Sequence, residues 1–470
     1  MVFSSVSFLF YFLPAVALLY AIAPPKARNG VLLVASLLFY TWGSGALVGV
    51  LLVSVLVDYV LGFVAARGHD LDSVRLRRLA ITGSVVANVG ILVWFKYAGW
   101  LLTEAADAGV WTGTVPEIVL PIGVSFFTFQ SMSYTIDVAR GRCEHLVNPL
   151  DFALYVTLFP QLIAGPIVRY HEIHEQIHRR EHNLANVGEG AIRFAHGLAK
   201  KVLVADTVAV VADVAFADAS PSAGVAWVGI FAYTVQIYFD FSGYSDMAIG
   251  LGKMFGFTFP ENFERPYSAV SVTDFWRRWH ITLSNWFRDY VYIPLGGGRG
   301  APVAVYRNLL AVFLLTGVWH GANWTFVVWG AYHGSWLLLE RRLRLRNTES
   351  VRSPAFRRAT TLFIVMMGWV LFRAPDLGAA IDYYGALFSF GGFELGPVEP
   401  FMTTRVALTL AAATIGVVLL PRHFVAGPAL VDPRSRGALV GRALVMLVAL
   451  PSALLLVASG SFSPFLYFQF

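Results

Sequence analysis

The 470-residue sequence is poor in cysteine and in charged residues, and each shortage limits what the protein can be. The single cysteine, Cys143, excludes intramolecular disulfides and any chemistry that needs two thiols in one chain. Only 14% of the residues are charged, against about 25% in a typical soluble domain, whereas 57% are hydrophobic. The sequence has no Walker loop, GxSxG elbow or dinucleotide-binding glycine pattern, so it gives nucleotide-cleaving and serine-hydrolase chemistry little support.

Long apolar runs recur along almost the whole chain, and many are long enough to cross a bilayer. They predict an all-α polytopic membrane protein, a single helical bundle over residues 1–470 with about 11 transmembrane segments. The candidate spans are residues 6–23, 30–41, 46–66, 81–102, 118–138, 152–167, 195–216, 226–251, 308–339 (broken), 361–372, 406–420 and 443–459.

The formal net charge of +6 comes from basic residues at the ends of apolar segments, which favours lipid head groups and cytoplasmic loops over nucleic acid. A hairpin that turns at Gly43-Ser44-Gly45 has basic loops on both sides, so both loops are predicted to be cytoplasmic: Lys26 and Arg28, then Arg67, Arg75, Arg77 and Arg78. Residues 103–117 lack Lys and Arg and residues 394–399 are acidic, so both are expected outside. A return to the cytoplasm is predicted at Arg422, Arg434, Arg436 and Arg442.

This pattern predicts that both termini are extracytoplasmic. The opening MVFSSVSFLFYFLP lacks the basic region of a signal peptide, so we expect a retained first helix.

Two segments interrupt the apolar pattern. Residues 253–300 are dense in Trp, Arg and Tyr, too polar to span and too aromatic for a free loop, which predicts a segment that lies at the interface or re-enters the membrane. Residues 308–320 reach only about 20 Å, short of the ~30 Å hydrocarbon core. Together with Gly321-Ala322-Asn323 they predict a hairpin that enters from the cytoplasm and turns deep in the membrane, with His320 at the turn.

Three histidines lie in aromatic surroundings. His320, in GVWHGANW, is equally well explained alone as a structural hydrogen bonder or as a general base. His280, in WRRWHITLS, lies in the other irregular segment, and the pair favours the catalytic interpretation because histidines cluster where protons move. His333, in WGAYHGSW, is away from the turn and is predicted to make a helix-packing hydrogen bond.

The stretch YFDFSGYSDM places four polar side chains in an otherwise apolar span: Asp240, Ser242, Ser245 and Asp246. Asp240 and Ser242 are two residues apart and do not share one narrow helical stripe. The wall of a wet cavity and an interhelical hydrogen-bond cluster explain the set about equally well.

The stretch HEIHEQIHRREH has histidines spaced for one helical face, as metal ligands often are: His171, His174, His178 and His182. It also carries acids and arginines in alternation, which is typical of an amphipathic helix at the cytoplasmic interface. The interfacial helix is the preferred interpretation, and no metal site is predicted.

Taken together, these segments resemble one protein family. DFWRRWHITLSNWFRDYVYIPLGGGR and RNLLAVFLLTGVWHGANWTFVVWGAYHG are similar to the membrane-bound O-acyltransferase (MBOAT) family, in its branch of bacterial alginate O-acetyltransferases. The resemblance covers nearly the whole chain, through FSSVSFLFYFLP, LPIGVSFFTFQSMSYTIDV, LFPQLIAGPIVRY, YFDFSGYSDMAIG and SPFLYFQF. One departure is GGGR, where that branch has GGNR.

The resemblance implies a helical bundle with re-entrant or interfacial helices around a tunnel that joins the two membrane faces, and a catalytic core at residues 118–340. It implies that His320 is the essential catalytic residue and His280 a second functional histidine, where other branches carry Asn. Supporting roles, in orienting the base, donating to the oxyanion or lining the tunnel, are expected of Trp319, Asn323, Asp240, Ser242 and His333.

The implied reaction transfers an acyl group, with acetyl expected, from a cytoplasmic thioester such as acetyl-CoA to a hydroxyl of an extracytoplasmic polysaccharide or partner protein. No bound cofactor is expected. The donor phosphates are expected to meet cations at the cytoplasmic mouth: Lys253, Arg277, Arg278, Arg288 and Arg299. The implied location is the inner or plasma membrane, with lipid as a further partner.

Alternatives remain open at this point. Within the family they are D-alanyl transfer to teichoic acid and O-acetylation of peptidoglycan. Outside it, a proton-coupled transporter would use Asp240 and the histidines as proton or substrate sites, and a scaffold of a polysaccharide export complex would need no chemistry at His320.

Overall fold

The computed structural model describes residues 1–343, 353–389, 392–418 and 436–460, and within these ranges it contains helices and no strand. Six helical stretches there are long and apolar enough to cross a membrane: Pro25–Asp70, Val74–Asp107, Ala223–Met254, Pro302–His320, Pro354–Arg373 and Gly437–Ala458. The predicted all-α polytopic membrane protein is thus confirmed, whereas the number of about eleven crossings stays a prediction. Arg422, Arg434, the end of the predicted span 406–420 and the SPFLYFQF segment lie outside the described residues.

The chain divides into two compact units, which we name the first and second unit. The first comprises Met1–Ala191 and Met247–Pro260, and the second comprises Ile192–Asp246 and Glu261–Phe470. The division falls inside two helices, Leu184–Ala199 and Ala223–Met254.

The first unit is built from apolar helices that present large side chains outward, as lipid-facing helices do; Leu38 is 63% exposed and Leu56 is 62% exposed. Gly45 has φ +52°, which L side chains rarely adopt, and it ends the preceding helix where the sequence predicts a hairpin turn. The helices are Ser7–Phe12 (π-helical), Leu13–Ile22, Arg28–Ser44, Val48–Asp70, Val74–Leu92, Val93–Tyr97 (π-helical), Ala98–Asp107, Val124–Ala139, Pro149–Thr157, Phe159–Leu162 and Tyr170–His178.

One predicted span of the first unit is wrong, and another becomes helical later than predicted. The segment 152–167 is two short helices, Pro149–Thr157 and Phe159–Leu162, because Pro160 has no N–H and its ring would clash with the carbonyl group four residues earlier. The segment 118–138 becomes helical only at Val124, after Gly123 at φ +73°, and its 16 residues are all buried. An apolar pattern cannot separate a buried core helix from a crossing helix of similar length.

The second unit contains both irregular segments and the polar span of the sequence. Its helices are Lys200–Ala205 (π-helical), Asp206–Ala217, Val272–Trp276, Ile281–Phe287, Arg288–Tyr292 (π-helical), Pro302–His320, Trp324–Arg342, Pro354–Arg373, Leu377–Phe388, Thr404–Val418, Arg436–Leu444, Val445–Ala449 (π-helical) and Leu450–Ala458. All the histidines singled out as catalytic candidates therefore belong to one compact unit.

Candidate active site

A helical hairpin carries the first candidate histidine. Helix Pro302–His320 ends at His320, and helix Trp324–Arg342 begins after the predicted turn. The Asn323 side chain caps the second helix: its Oδ1 accepts from the Thr325 N–H at 3.0 Å and its Nδ2 donates to the Pro375 carbonyl at 2.6 Å. The turn is confirmed at the predicted residues.

The length given to the first arm of this hairpin is wrong. The helix begins at Pro302, six residues before the predicted start at 308, because Pro at the first helical position leaves no donor unpaired. Its 19 residues reach about 28 Å, close to the thickness of the hydrocarbon core. Contrary to the expectation from the sequence, the helix is therefore not too short to cross the membrane. The depth of His320 in the membrane stays a prediction.

Glycines let the two arms of the hairpin approach closely. A Cβ atom at Gly317 would lie 2.2 Å from the Phe326 carbonyl oxygen, and one at Gly330 would lie 2.4 Å from the Phe313 carbonyl oxygen. Both contacts are with backbone, which cannot rotate away as a side chain can. Small residues at such positions are typical of tightly packed membrane helices, and here they fix the end of the arm that bears His320.

His320 is 4% exposed and lies among aromatic rings. Its ring centroid is 5.0 Å from that of Trp319, 5.1 Å from that of Trp329 and 5.1 Å from that of Phe372. Such edge-to-face contacts hold a ring in one orientation without neutralising its nitrogens. His320 is thus buried against three aromatic rings at the end of its helix.

His280 lies at the start of helix Ile281–Phe287 and has a left-handed backbone, φ +44°. This conformation is uncommon for a residue other than glycine and often occurs at functional sites. Its Nδ1 is 3.1 Å from Asn262 Oδ1, which also accepts from the Thr282 N–H at 3.3 Å. The backbone N–H of Thr282 can only donate, so the Asn262 atom that it meets is the side-chain oxygen. His280 Nδ1 faces the same oxygen and must therefore carry the hydrogen. In neutral His280 the acceptor lone pair is then on Nε2.

One tryptophan connects the two candidate histidines. The ring of Trp319 is 6.2 Å from that of His280 and 5.0 Å from that of His320. The other face of His280 meets Phe241 at 4.7 Å. The two irregular segments of the sequence thus meet at Trp319, inside a buried aromatic cluster.

His333 belongs to the same cluster. Its ring is 5.0 Å from that of Trp329 and 5.2 Å from that of Trp276, and the side chain is fully buried. The described residues offer no hydrogen-bond partner to either ring nitrogen of His333. The predicted helix-packing hydrogen bond is therefore not found, and His333 adds two buried polar atoms to the wall of the site.

Comparison with known proteins bears on these residues. Residues 128–377, more than half of the chain, match the family described as MBOAT, membrane-bound O-acyltransferase family. The chain belongs to this family. It is therefore an O-acyltransferase and a multi-pass membrane protein, and all three histidines fall within the matched region.

The relatives of this acyltransferase are named for different reactions. The probable alginate O-acetylase AlgI of Azotobacter vinelandii is 43% identical over 504 aligned residues, which cover 100% of both chains. The peptidoglycan O-acetyltransferase of Helicobacter pylori is 37% identical over 84% of this chain and 81% of its own. The teichoic acid D-alanyltransferase of Bacillus subtilis is 27% identical over 52% of this chain and 65% of its own.

Asp240 and Ser242 of the acyltransferase are buried, at 1% exposure each. The Asp240 carboxylate is 2.6 Å from Lys201 Nζ, which also lies 2.8 Å from Asp206. For the acids of this stretch the structure favours the interhelical polar cluster, in the form of ion pairs, whereas the hydroxyls of Ser242 and Ser245 find no hydrogen-bond partner among the described residues. These contacts place Asp240 in a structural network and do not bring it to the aromatic cluster.

A second buried network surrounds Asp246, and its cationic partners were missed by the sequence reasoning. Asp246 is 2.6 Å from Arg193, 2.7 Å from Lys200 and 3.3 Å from His196, and Arg193 also pairs with Glu261 at 2.7 Å. The signal was the pair Lys200-Lys201 within an apolar run, because buried cations need acid partners and the nearest acids in an apolar span are those of YFDFSGYSDM.

The basic residues expected to bind the donor lie mostly at the surface. Arg277, Arg288 and Arg299 are exposed and Arg278 is half-buried. Two of them are engaged by neighbouring acids: Arg278 Nε donates to Asp274 at 2.8 Å, and Arg288 Nε donates to Asp289 at 2.7 Å. Lys253 belongs to the first unit and pairs with Glu189.

The four-histidine stretch lies in the first unit. Helix Tyr170–His178 buries Ile173 and Ile177 and exposes its charged face, as the predicted amphipathic helix does, but it ends before His182. The histidines have separate partners: His171 meets Asp137 at 2.8 Å, and His182 meets Tyr20 at 3.4 Å. Among the described residues no group of three or more His, Cys, Asp or Glu side chains is placed to hold a metal.

The stability of the protein is expected to depend on pH through His280, which lies outside the candidate membrane spans. Burial lowers its pKa from 6.5 to about 3, so between these values the unfolded chain binds a proton that the folded chain does not. The free energy of unfolding is therefore highest above pH 6.5. It falls by about 1.4 kcal/mol for each unit by which the pH drops below 6.5. His280→Asn removes the part of this loss that His280 contributes. We expect the melting temperatures of wild type and variant, measured in one detergent, to converge between about pH 8 and about pH 5.5.

The matched control is His178→Asn, which changes an exposed histidine. If this variant alters the pH dependence as much as His280→Asn does, the buried neutral imidazole is not the cause.

Proposed function

We propose that this acyltransferase moves an acetyl group from a cytoplasmic thioester, acetyl-CoA, to a hydroxyl of an extracytoplasmic polysaccharide or partner protein, with His320 as the general base. The observation that carries the proposal is the meeting of His320 and His280 at Trp319 within a buried cluster. An imidazole in a buried, aromatic-walled site is suited to take a proton from a weakly acidic hydroxyl.

The proposed chemistry is a single acyl transfer. The acceptor hydroxyl gives its proton to His320 and its oxygen bonds to the thioester carbonyl carbon, forming a tetrahedral oxyanion. The oxyanion then collapses, the C–S bond breaks, and the CoA sulfur leaves and takes the proton back from the imidazolium. Trp319, whose ring contacts both histidines, and His280 are the proposed orienting and oxyanion-stabilising residues.

Asn323 has a different proposed role. Its oxygen caps the second helix of the hairpin and its nitrogen donates to the Pro375 carbonyl. Both ends of the amide are thus used to hold the turn, which favours positioning of His320 over donation to the oxyanion.

Donor recognition is proposed for the cations of the segment that carries His280. The exposed guanidinium groups suited to the phosphates of CoA are Arg277, Arg288 and Arg299, with Arg278 beside them in sequence. We further propose that this face is cytoplasmic, that both termini are extracytoplasmic, and that the membrane is the inner or plasma membrane.

The relatives support acetyl transfer to a polysaccharide. The probable alginate O-acetylase matches over the full length of both chains at 43% identity. Peptidoglycan O-acetylation is the second candidate, because its relative matches 84% of the chain at 37% identity. D-alanyl transfer ranks lower, since that relative matches 52% of the chain at 27% identity.

The direct test is release of CoA from acetyl-CoA by the purified protein in nanodiscs, with alginate, peptidoglycan fragments or teichoic acid as acceptor. We expect CoA release that depends on the protein and is stimulated by alginate, together with an alkali-labile acetyl ester on the polymer. Stimulation by peptidoglycan alone would move the proposal to the second candidate. Transfer from a D-alanyl thioester, with none from acetyl-CoA, would overturn it.

A further inference from the structure

The first unit contains a groove that the proposed reaction does not use. Its volume is about 1440 Å³. It lies between helix Leu13–Ile22, helix Arg28–Ser44 and the segment that follows helix Tyr170–His178. Both helices line it along several turns. Helix Leu13–Ile22 contributes Ala15, Val16 and Leu19, with Phe12 just before it, and the apolar part contributed by helix Arg28–Ser44 is Gly30, Val31, Leu33, Val34, Ala35 and Leu38. The lining residues recur over more than two turns of the second helix, so the groove runs along the helices.

One end of the groove is cationic. Lys26, Arg28, Arg179 and Arg180 line it, against only two acids, Asp151 and Glu181. Asp151 accepts from the side-chain amides of Asn29 and Asn148, at 2.8 and 3.0 Å. Within the described part of the chain none of the four cations forms an ion pair, so this end has an excess of positive charge.

Two of the cations are held in place by neutral groups. Arg180 donates to Asn29 Oδ1 at 2.7 Å and stacks over Phe257 at 4.3 Å. Arg28 lies over the ring of Tyr20 at 5.4 Å, and for its buried Nε the described residues offer no acceptor. Burial and the charges of Arg28 and Arg180 lower the pKa of His182, which shows that their positive fields overlap at this end. A positioned guanidinium with an unused buried donor is suited to an anion.

The other end of the groove is apolar. Going away from the loop that holds Lys26, the lining changes from charged residues to Val31 and Leu19, and then to Leu38 and Phe12. The second helix lies in the stretch Pro25–Asp70, which is long and apolar enough to cross a membrane, and the first lies in the shorter apolar helix Ser7–Ile22. An occupant must therefore have a negative group at one end and a hydrocarbon chain at the other.

We infer that this groove is a binding site for one phospholipid with an anionic head group, its phosphate at Arg28 and its acyl chain along Leu19, Val34 and Leu38. Basic pockets between membrane helices at the interface recognise anionic lipid head groups in this way. A soluble phosphate would satisfy the cations but would leave the apolar length of the groove unfilled. The inference is independent of the proposed function, because every residue of the groove belongs to the first unit.

The test is native mass spectrometry of protein released from nanodiscs that contain equal amounts of phosphatidylglycerol and phosphatidylcholine. We expect wild type to keep one phosphatidylglycerol molecule per chain. Arg28→Gln should lower the ratio of retained phosphatidylglycerol to phosphatidylcholine about fivefold. Arg75→Gln, which removes an exposed arginine that does not line the groove, should leave the ratio unchanged.

A variant that fills the groove tests lipid binding there without changing any charge. Gly30 lines the groove and a Cβ there meets nothing within 4 Å, so Gly30→Leu fills the space without a clash at its first atom. Gly49→Leu is the matched control, because Gly49 is also helical and open but lies outside the groove. We expect loss of the retained lipid only in Gly30→Leu.

Two results would overturn the inference. One is equal retention of phosphatidylglycerol by Gly30→Leu and Gly49→Leu. The other is its complete displacement by excess sn-glycerol 3-phosphate, which would identify a soluble phosphate site in place of a lipid site.

Discussion

Replacing His320 with alanine is expected to lower the rate of CoA release by about 10²–10⁴-fold, the usual contribution of a positioned general base. The acceptor hydroxyl is a poor nucleophile unless its proton is removed, and alanine at the buried position 320 offers no base to remove it. The rate is measured with wild type and variant at equal concentration in nanodiscs, with acetyl-CoA and alginate present. Binding of acetyl-CoA should change little, so the loss should appear in kcat.

The matched control for this experiment is His178→Ala, which removes an exposed histidine of the first unit. It should release CoA at the wild-type rate. Equal melting temperatures of His320→Ala and wild type would establish that the variant is folded. If folded His320→Ala keeps the wild-type rate, His320 is a structural histidine and the base must be sought elsewhere.

The largest expected loss of stability comes from Asp246→Asn. The carboxylate is 5% exposed and is the acid partner of Arg193 and Lys200. The amide would leave Lys200 buried without a carboxylate, and removing one partner of a buried ion pair costs about 3–5 kcal/mol because the remaining charge is uncompensated. Thermal unfolding in a single detergent, followed by tryptophan fluorescence, should show a marked fall in melting temperature.

Asp213→Asn provides the comparison for this variant. Asp213 pairs with Arg373 at 2.9 Å, but its side chain is 52% exposed, so water screens the pair. Its loss should cost less than about 1 kcal/mol. Similar melting temperatures for the two variants would show that the network around Asp246 is not the stabilising element we take it to be.

Local signals in the sequence were sufficient for the hairpin turn. Glycine and an N-capping asparagine act within a few residues, so Gly321-Ala322-Asn323 identified the break between the two arms. The aromatic surroundings of His280 and His320 were also visible in the sequence, because each histidine has tryptophan neighbours in WRRWHITLS and GVWHGANW.

The ion pairs of the second unit were not predictable in the same way. Lys200 and Asp246 are 46 positions apart, and whether they meet depends on how two helices are rotated about their axes. The π-helical segment Lys200–Ala205 changes that rotation, and no propensity rule locates such a segment in an apolar run. The break at Leu158 was missed for the opposite reason, since the apolar pattern outweighed the local effect of Pro160.

The left-handed backbone at residue 280 also restricts evolutionary substitution there. At φ +44° a β-branched or bulky side chain is strained, whereas His, Asn and Asp tolerate the region several-fold better than most residues. Asparagine, which the resemblance implies for other branches at this position, retains a polar side chain in a buried place. A relative that lacks the imidazole at this position therefore has few residues available to it. The backbone conformation limits that choice independently of the chemistry of the site.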